Sequence, residues 1–417
     1  MDIKKIVHKI SLLHSVSTET PTKFELAKEI LDQIKIDWSD PTLTIIDSAC
    51  GRGTFLLAAL DKLEQAGHSR EHIISNMLYG ADISRVQYMI TVKSLQMACP
   101  GVKHNIVNED SLKKDWKMKK FDASVGNPPY QDKTGNENST NSADLYAKFV
   151  DLSFKLSKNA VASVIPSAWS GPKNSNLKKT IFETHQPYVF NTHGKKWFDV
   201  EMSTCYFITS LNRKGSTEVY DAKGNHITMQ LDSNSSVPLD LSKFSVQQKL
   251  RTFADVANLS DRWARGKLHL NELAQYKGND VEFVCAVGNK EDALTTEMIQ
   301  ADVETTGYGL EKLVIPNVAS AASIGNIKMG TKDQVGGHSV VFLTGSSKKE
   351  LENLKSYLES KVIRFLIDAV KISTPNSKKL FTYIPDIGFK TKWTDTALYQ
   401  HFNLDPAEIE MIEKFSE

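Results

Sequence analysis

Apolar residues recur along the first half of the chain with two alternating periods. Phe24, Leu26, Ala27, Ile30, Leu31 and Ile34 share one face of a 3.6-residue repeat, which predicts a helix that Thr22 is placed to cap and that ends before Asp37-Trp38. Leu43 to Asp47 is a short β-branched run, and Gly51-Arg52-Gly53 turns the chain into a second helical pattern, Phe55, Leu56, Ala59, Leu60 and Leu63. The same strand-then-helix pair returns at Met77 to Ala81 and Ser84 to Met97. Short strands are predicted at His104 to Val107 and Phe121 to Val125, a helix at Asp144 to Leu156, and an apolar strand at Ala160 to Ile165 that Pro166 stops. Such alternation predicts an α/β fold, a parallel sheet with helices on both faces.

The texture changes after about Tyr220. Polar turns, seven glycines between Thr305 and Gly345, and short β-like runs at Val281 to Cys285 and Ser339 to Leu343 predict a second domain of mixed α+β type. Lys348 to Val370 carries Leu351, Leu354, Leu358, Phe365, Leu366 and Ala369 at helical spacing, predicting one long helix with a core-facing stripe. The expected boundaries are residues 1–220 and 221–417, and a chain of 417 residues is long enough for two cores.

Composition narrows the class without altering this outline. The hydrophobic fraction is 40% and the charged fraction 24%, which excludes disordered and fibrous chains. No window approaches 18 consecutive apolar residues and the first residues form no leader, so a cytoplasmic setting with no membrane partner is expected. Cys50, Cys99, Cys205 and Cys285 form no C-x-x-C pair, so neither a disulfide framework nor a metal site is expected. The net charge of +1 conceals a local bias. From Lys361 to Trp393 seven basic residues face two acids, which makes Lys371, Lys378, Lys379, Lys390 and Lys392 candidate contacts for a polyanion, or else a solvated basic face.

The candidate chemistry sits at predicted strand ends, where open α/β sheets bind ligands. Asp47-Ser48-Ala49-Cys50-Gly51-Arg52-Gly53 follows the first strand, and its glycines would let a ligand approach the backbone. Asp82 ends the second strand in Gly80-Ala81-Asp82-Ile83, a position suited to accept hydrogen bonds from two ribose hydroxyls or to cap the next helix. Asn127-Pro128-Pro129-Tyr130 follows the strand from Phe121. Its prolines stiffen the loop, and the Asn127 side-chain oxygen with the Pro128 carbonyl makes two fixed acceptors, which suit an NH2 group.

In this order the segments resemble the gamma class of DNA methyltransferases that make N6-methyladenine, with cofactor motifs first, the N-P-P-Y loop next and a target-recognition domain last. The resemblance covers roughly residues 15 to 210 and implies a Rossmann-like sheet that binds S-adenosylmethionine and releases S-adenosylhomocysteine. Thr20-Pro21 resembles the segment that closes over the methionine part of the cofactor. Asp47-x-Ala49-Cys50-Gly51-x-Gly53 resembles the main cofactor motif, with Ser48 in place of the usual proline. Asp82 and Ile83 resemble the ribose-binding acid and its apolar neighbour, Asp110 the acid that meets the adenine amino group, and the segment with Tyr146 and Phe149 the one that packs on that adenine. Asn127, Pro128, Pro129 and Tyr130 resemble the catalytic loop, and Phe198, beside Trp197, resembles the aromatic face for a flipped base.

The resemblance implies transfer of a methyl group to N6 of a flipped adenine in double-stranded DNA, in a bacterial, archaeal or phage-encoded protein, with a separate cognate restriction endonuclease as a compatible partner and no metal. N-P-P-Y also serves amide and guanine nitrogens, which leaves protein glutamine and ribosomal RNA methyltransferases as alternatives. A catalytically inactive nucleic-acid-binding module on the same scaffold is another. The roughly 200 residues after the catalytic segments favour DNA.

Overall fold

The computed structural model describes residues 1–12, 21–117, 119–130, 145–170, 176–194, 197–198, 203–266, 268, 278–288, 294–301, 308–320, 323–371 and 374–415. The chain divides into two compact units, Met1–Trp169 with Asn174–Ser235, and Ser170–Lys173 with Ser236–Glu417.

The first unit begins with α1 (Ile3–Ser11) and α2 (Phe24–Gln33), followed by β1 (Ile45–Asp47), α3 (Thr54–Gln65), the short α4 (Arg70–His72), β2 (Leu78–Ala81), α5 (Arg85–Ala98), β3 (Asn105–Val107) and β4 (Phe121–Gly126). It continues through α6 (Leu145–Leu156), β5 (Ser157–Pro166), α7 (Asn176–Lys179), β6 (Val189–Gly194), β7 (Thr204–Ser210), β8 (Thr217–Tyr220) and β9 (His226–Met229). The sheet order is β3-β2-β1-β4-β5-β7-β6-β8-β9. β1 pairs in parallel with both β2 and β4, and β7 runs antiparallel between β5 and β6. The order therefore reverses between β1 and β4, and the carboxyl ends of those two strands flank the crevice where such sheets hold ligands.

Both faces of the sheet are covered, as its strands require. Ile45 packs with residues of α2 and α3, whereas its neighbour Ile46 packs on the other side with Phe121 and with Leu156 of α6. Every residue of β1 is buried, the pattern of a central parallel strand rather than a half-exposed one. α1 is an element that the apolar pattern does not announce. Ile3, Ile6 and Ile10 enter the core, and the Asp2 side chain caps the helix by accepting from the backbone N–H of Lys4 and Lys5.

The second unit adds α8 (Phe244–Ala254), β10 (Trp263–Arg265), β11 (Asn279–Val287), β12 (Leu294–Ala301), β13 (Glu311–Pro316), β14 (Lys328–Gly330), β15 (Gln334–Gly336) and β16 (Val340–Gly345). Helices α9 (Lys348–Leu358), α10 (Lys361–Val370), α11 (Lys378–Phe381), α12 (Asp395–His401) and α13 (Pro406–Phe415) follow. Its strands form a four-stranded sheet, β10-β16-β13-β14, and a three-stranded one, β12-β11-β15. Two expectations shift. The first unit runs to Ser235 rather than Tyr220, because β8 and β9 complete an edge of its sheet. The helix expected from Lys348 to Val370 is two helices, because the Ser360 side chain accepts from the Ile363 N–H and starts α10 afresh.

Candidate active site

Asp47 closes β1 and is 2% exposed. Its Oδ1 accepts from the Ala49 N–H at 3.1 Å, which folds the chain into the glycine turn. Burial, opposed by that hydrogen bond and reinforced by the nearby negative charge of Asp82, pushes the carboxyl up to about 7. Gly51 and Gly53 take positive φ of 52° and 80°, and Gly53 is the residue that caps α3. A Cβ on Gly53 would stand 2.9 Å from Cγ2 of Thr91, and the Thr91 hydroxyl donates to the Gly51 carbonyl at 2.7 Å. Glycine at position 53 is thus required twice, by dihedral and by space. Cys50 is buried against this turn and burial pushes its thiol well up, so it acts as packing and not as a nucleophile.

Asp82 follows β2 and braces the same turn. Its Oδ2 accepts from the Gly51 N–H and its Oδ1 from the Ser84 N–H, each at 2.8 Å. The carboxylate thus steers the start of α5 and shapes the glycine turn. Ile83 beside it is 71% exposed, an apolar side chain turned to solvent where the resemblance expects a cofactor neighbour. Asn108 Nδ2 donates to the Asp82 and Ile83 carbonyls, and the Ser111 hydroxyl donates to the Ser48 carbonyl at 2.6 Å, so the β3 loop ties both turns together. Asp110 lies in that loop, half-buried, with Oδ1 accepting from the Leu112 N–H and an ion pair to Lys113 at 3.2 Å.

Asn127 follows Gly126 at the carboxyl end of β4. Its Nδ2 donates to the Thr22 hydroxyl at 3.1 Å, and the Tyr130 hydroxyl donates to its Oδ1 at 2.9 Å. Tyr130 meets Tyr146 edge to face, with ring centroids 6.4 Å apart, and burial raises its phenol pKa, so the hydroxyl stays protonated as a donor. Pro128 is buried and Pro129 half-buried. Asp47, Ala49, Gly126, Pro128, Phe149 and Ser163 line one narrow cavity, which brings the glycine turn, the N-P-P-Y loop and the α6 aromatic to a common wall.

Other residues fall elsewhere. Thr20 lies outside the described residues, and Pro21 is exposed. Phe198 is 4% exposed and packs in the core of the first unit, whereas Trp197 is only partly buried. In the second unit Lys378, Lys390 and Lys392 are exposed and Lys379 half-buried. Lys371 is not a surface residue. It is 4% exposed, its Nζ donates to the carbonyls of Ser320 and Ser323, and burial lowers its pKa to about 8. Its cation is engaged by the protein's own backbone, so it leaves the set of polyanion contacts. Among the described residues no three His, Cys, Asp or Glu side chains gather as metal ligands, and no helix is long and apolar enough to cross a membrane.

Sequence reasoning misses Thr22 as a site residue, and with it Thr91, Asn108, Ser111 and Gly126. The pattern makes Thr22 the cap of α2, but the capping position is Lys23, which makes no side-chain cap, and the Thr22 hydroxyl turns to Asn127. Gly126 carries a readable signal, a glycine at a strand end directly before the loop, which marks close approach.

A mixed sheet whose parallel half has its switch point between β1 and β4, a glycine turn braced by an acid, and a proline-stiffened asparagine loop define a class I methyltransferase fold. Residues 20–163 match the family model for N-6 DNA methylase. The chain is 31% identical over 118 residues to the Type I restriction enzyme MjaIX methylase subunit of Methanocaldococcus jannaschii, a match covering 28% of this chain and 20% of that protein. A nuclease-deletion mutant of the Type ISP restriction-modification enzyme LlaGI, solved with a DNA substrate mimic, shares the fold with a TM-score of 0.54 at 11% identity, covering 91% of this chain and 47% of that one. The Type IIL restriction-modification enzyme MmeI, solved with DNA, is similar at a TM-score of 0.49 and 13% identity, covering 91% of this chain and 66% of that one. The chain thus spans a fifth of the curated relative and about half of LlaGI.

Proposed function

We propose that this chain is a site-specific DNA adenine methyltransferase, which moves a methyl group from S-adenosylmethionine to N6 of an adenine rotated out of duplex DNA. The observation that carries the reading is the Asn127-Pro128 pair of acceptors, held at the end of β4 beside the Asp47 turn at the end of β1.

The site residues fit the cofactor. Asp82 offers carboxylate lone pairs to ribose hydroxyls, Ile83 an apolar surface, Asp110 an acceptor for the adenine amino group, and Gly51 and Gly53 a turn free of Cβ atoms. Ala49 and Phe149 line the adjoining wall, and Thr20-Pro21 is the remaining candidate contact. When bound, S-adenosylmethionine supplies a methyl group already activated as a sulfonium, so the transfer as written uses no metal. The adenine amino group is a weak nucleophile because its lone pair is delocalised into the ring. Asn127 Oδ1 and the Pro128 carbonyl accept its two N–H groups and draw the nitrogen toward tetrahedral geometry, which localises the lone pair toward the methyl. Tyr130 must release Asn127 Oδ1 for this to happen, and its ring then offers a stacking face. Trp197, less buried than Phe198, is the better placed of the two for the opposite face.

The second unit is assigned to holding and reading the duplex, with Lys378, Lys379, Lys390 and Lys392 as phosphate contacts. A separate restriction endonuclease is the fitting partner, and a cytoplasmic setting follows from a DNA substrate. The match of residues 20–163 to N-6 DNA methylase favours DNA over protein or ribosomal RNA as acceptor.

Purified protein given methyl-labelled S-adenosylmethionine together with unmethylated duplex DNA, ribosomal RNA and protein should label DNA alone, as N6-methyladenine. Asn127→Ala should slow that labelling by about 100-fold or more, some 3 kcal/mol of transition-state stabilisation, with unchanged thermal unfolding. Label confined to RNA or protein, or a variant within tenfold of wild type, contradicts the reading.

A further inference from the structure

An asparagine amide is nearly symmetrical in shape, so a loop that needs its oxygen forward must prevent it from turning over. Two hydroxyls hold the Asn127 amide, Thr22 at Nδ2 (3.1 Å) and Tyr130 at Oδ1 (2.9 Å). They are not equivalent. A phenol is the stronger donor and an aliphatic hydroxyl the better acceptor, so the pair prefers the orientation with Oδ1 toward Tyr130 and NH2 toward Thr22. When an incoming amino group displaces the Tyr130 hydroxyl, Thr22 alone is left to fix which end of the amide faces the substrate.

Thr22 is a firm post for that task. It leads into α2, whose Phe24, Leu26, Ala27, Ile30 and Leu31 are buried. The far end of α2 is bound to the middle of the sheet by a half-buried polar cluster: the Tyr206 hydroxyl of β7 donates to Glu29 Oε1, and Gln33 Nε2 donates to the Tyr206 oxygen, both at 2.9 Å. The hydroxyl therefore reaches Asn127 across 105 residues of chain from the entry to a helix packed into the core.

We propose that Thr22 is a positioning residue for methyl transfer, acting through Asn127 by accepting from its Nδ2 and so holding Oδ1 toward the target amino group. The proposal rests on the functional reading above and adds to it a residue outside the N-P-P-Y loop and outside the cofactor turn. Thr22 has no bond to the transferred methyl, so its loss acts on turnover and leaves binding in place.

Thr22→Val keeps the branched shape and removes the acceptor, and Thr22→Ser keeps the acceptor. Both are compared with wild type for kcat and for KM toward unmethylated plasmid DNA, with S-adenosylmethionine affinity by calorimetry and thermal unfolding measured alongside. The expected result is a roughly tenfold lower kcat for Thr22→Val, the worth of about one neutral hydrogen bond. KM and cofactor affinity should stay within twofold, unfolding should be unchanged, and Thr22→Ser should recover to within twofold of wild type. Wild-type kcat in Thr22→Val, equal loss in Thr22→Ser, or a loss that falls on cofactor affinity overturns the proposal while leaving the enzyme a DNA methyltransferase. A wild type that labels no DNA overturns the functional reading itself, and this inference with it.

Discussion

A Cβ on Gly126 would stand 2.8 Å from Oδ1 of Asp47, a separation that real Cβ atoms essentially never show. Both residues are buried at adjacent strand ends, so neither has room to retreat. Gly126→Ala should therefore lower stability by about 1–3 kcal/mol through overpacking, read by chemical denaturation, and depress turnover by displacing Asn127. The carboxyl of Asp47 carries a second consequence. Its pKa of about 7 in the folded protein lies above the value of about 4 expected unfolded, so between those values the native state keeps a proton that the unfolded chain has lost. Stability from this group is fully present below about pH 4 and is lost as pH rises through about 7, with a slope of at most about 1.4 kcal/mol per pH unit. Denaturation of wild type and Asp47→Asn from pH 4 to 8 should show wild type losing ground to the variant over that window, and a pH-independent difference would remove the assignment. Asp82→Ala should weaken S-adenosylmethionine binding by about 1.5–3 kcal/mol in calorimetry, since it removes a charged acceptor and loosens the Gly51 turn together.

At the scale of elements, the strands and helices around the crevice were legible because each is short, strongly apolar and bounded by turn residues, as in Ile45-Ile46 before the Gly51 turn. The strand-end positions of the N-P-P-Y loop and Asp82 were legible for the same reason. Side chains that act across long sequence separations were not. Thr22 at a helix entry looks like any cap, and only the folded chain brings it to Asn127. The fate of Lys371 was equally hidden, because a lysine in a basic run gives no sign that two backbone carbonyls await it. Lys371→Ala should destabilise the second unit by about 1–3 kcal/mol, the cost of leaving buried carbonyls unpaired, while the salt dependence of DNA affinity stays unchanged. The double variant Lys390→Gln with Lys392→Gln should do the reverse, keeping stability and flattening the salt slope by about 0.9 for each phosphate no longer neutralised. The break between α9 and α10 was written in Ser360, but an unbroken apolar stripe on both sides concealed it.

For the whole molecule, 51 basic against 50 acidic residues leave almost no net charge, so under the proposed function DNA affinity must come from a confined surface rather than a broad positive field. The chain divides into a unit that carries the candidate site and a second unit with its own core, and under the proposed function the first methylates adenine at N6 while the second restricts which adenines it meets. The most direct test is sequencing, by a method that detects methylated adenine, of genomic DNA from cells lacking other adenine methylation and expressing either wild type or Asn127→Ala. Wild type should leave N6-methyladenine at one recurring sequence context, and the variant should leave none. Genomic DNA free of N6-methyladenine, or modified at adenines without regard to sequence, would contradict the proposed function.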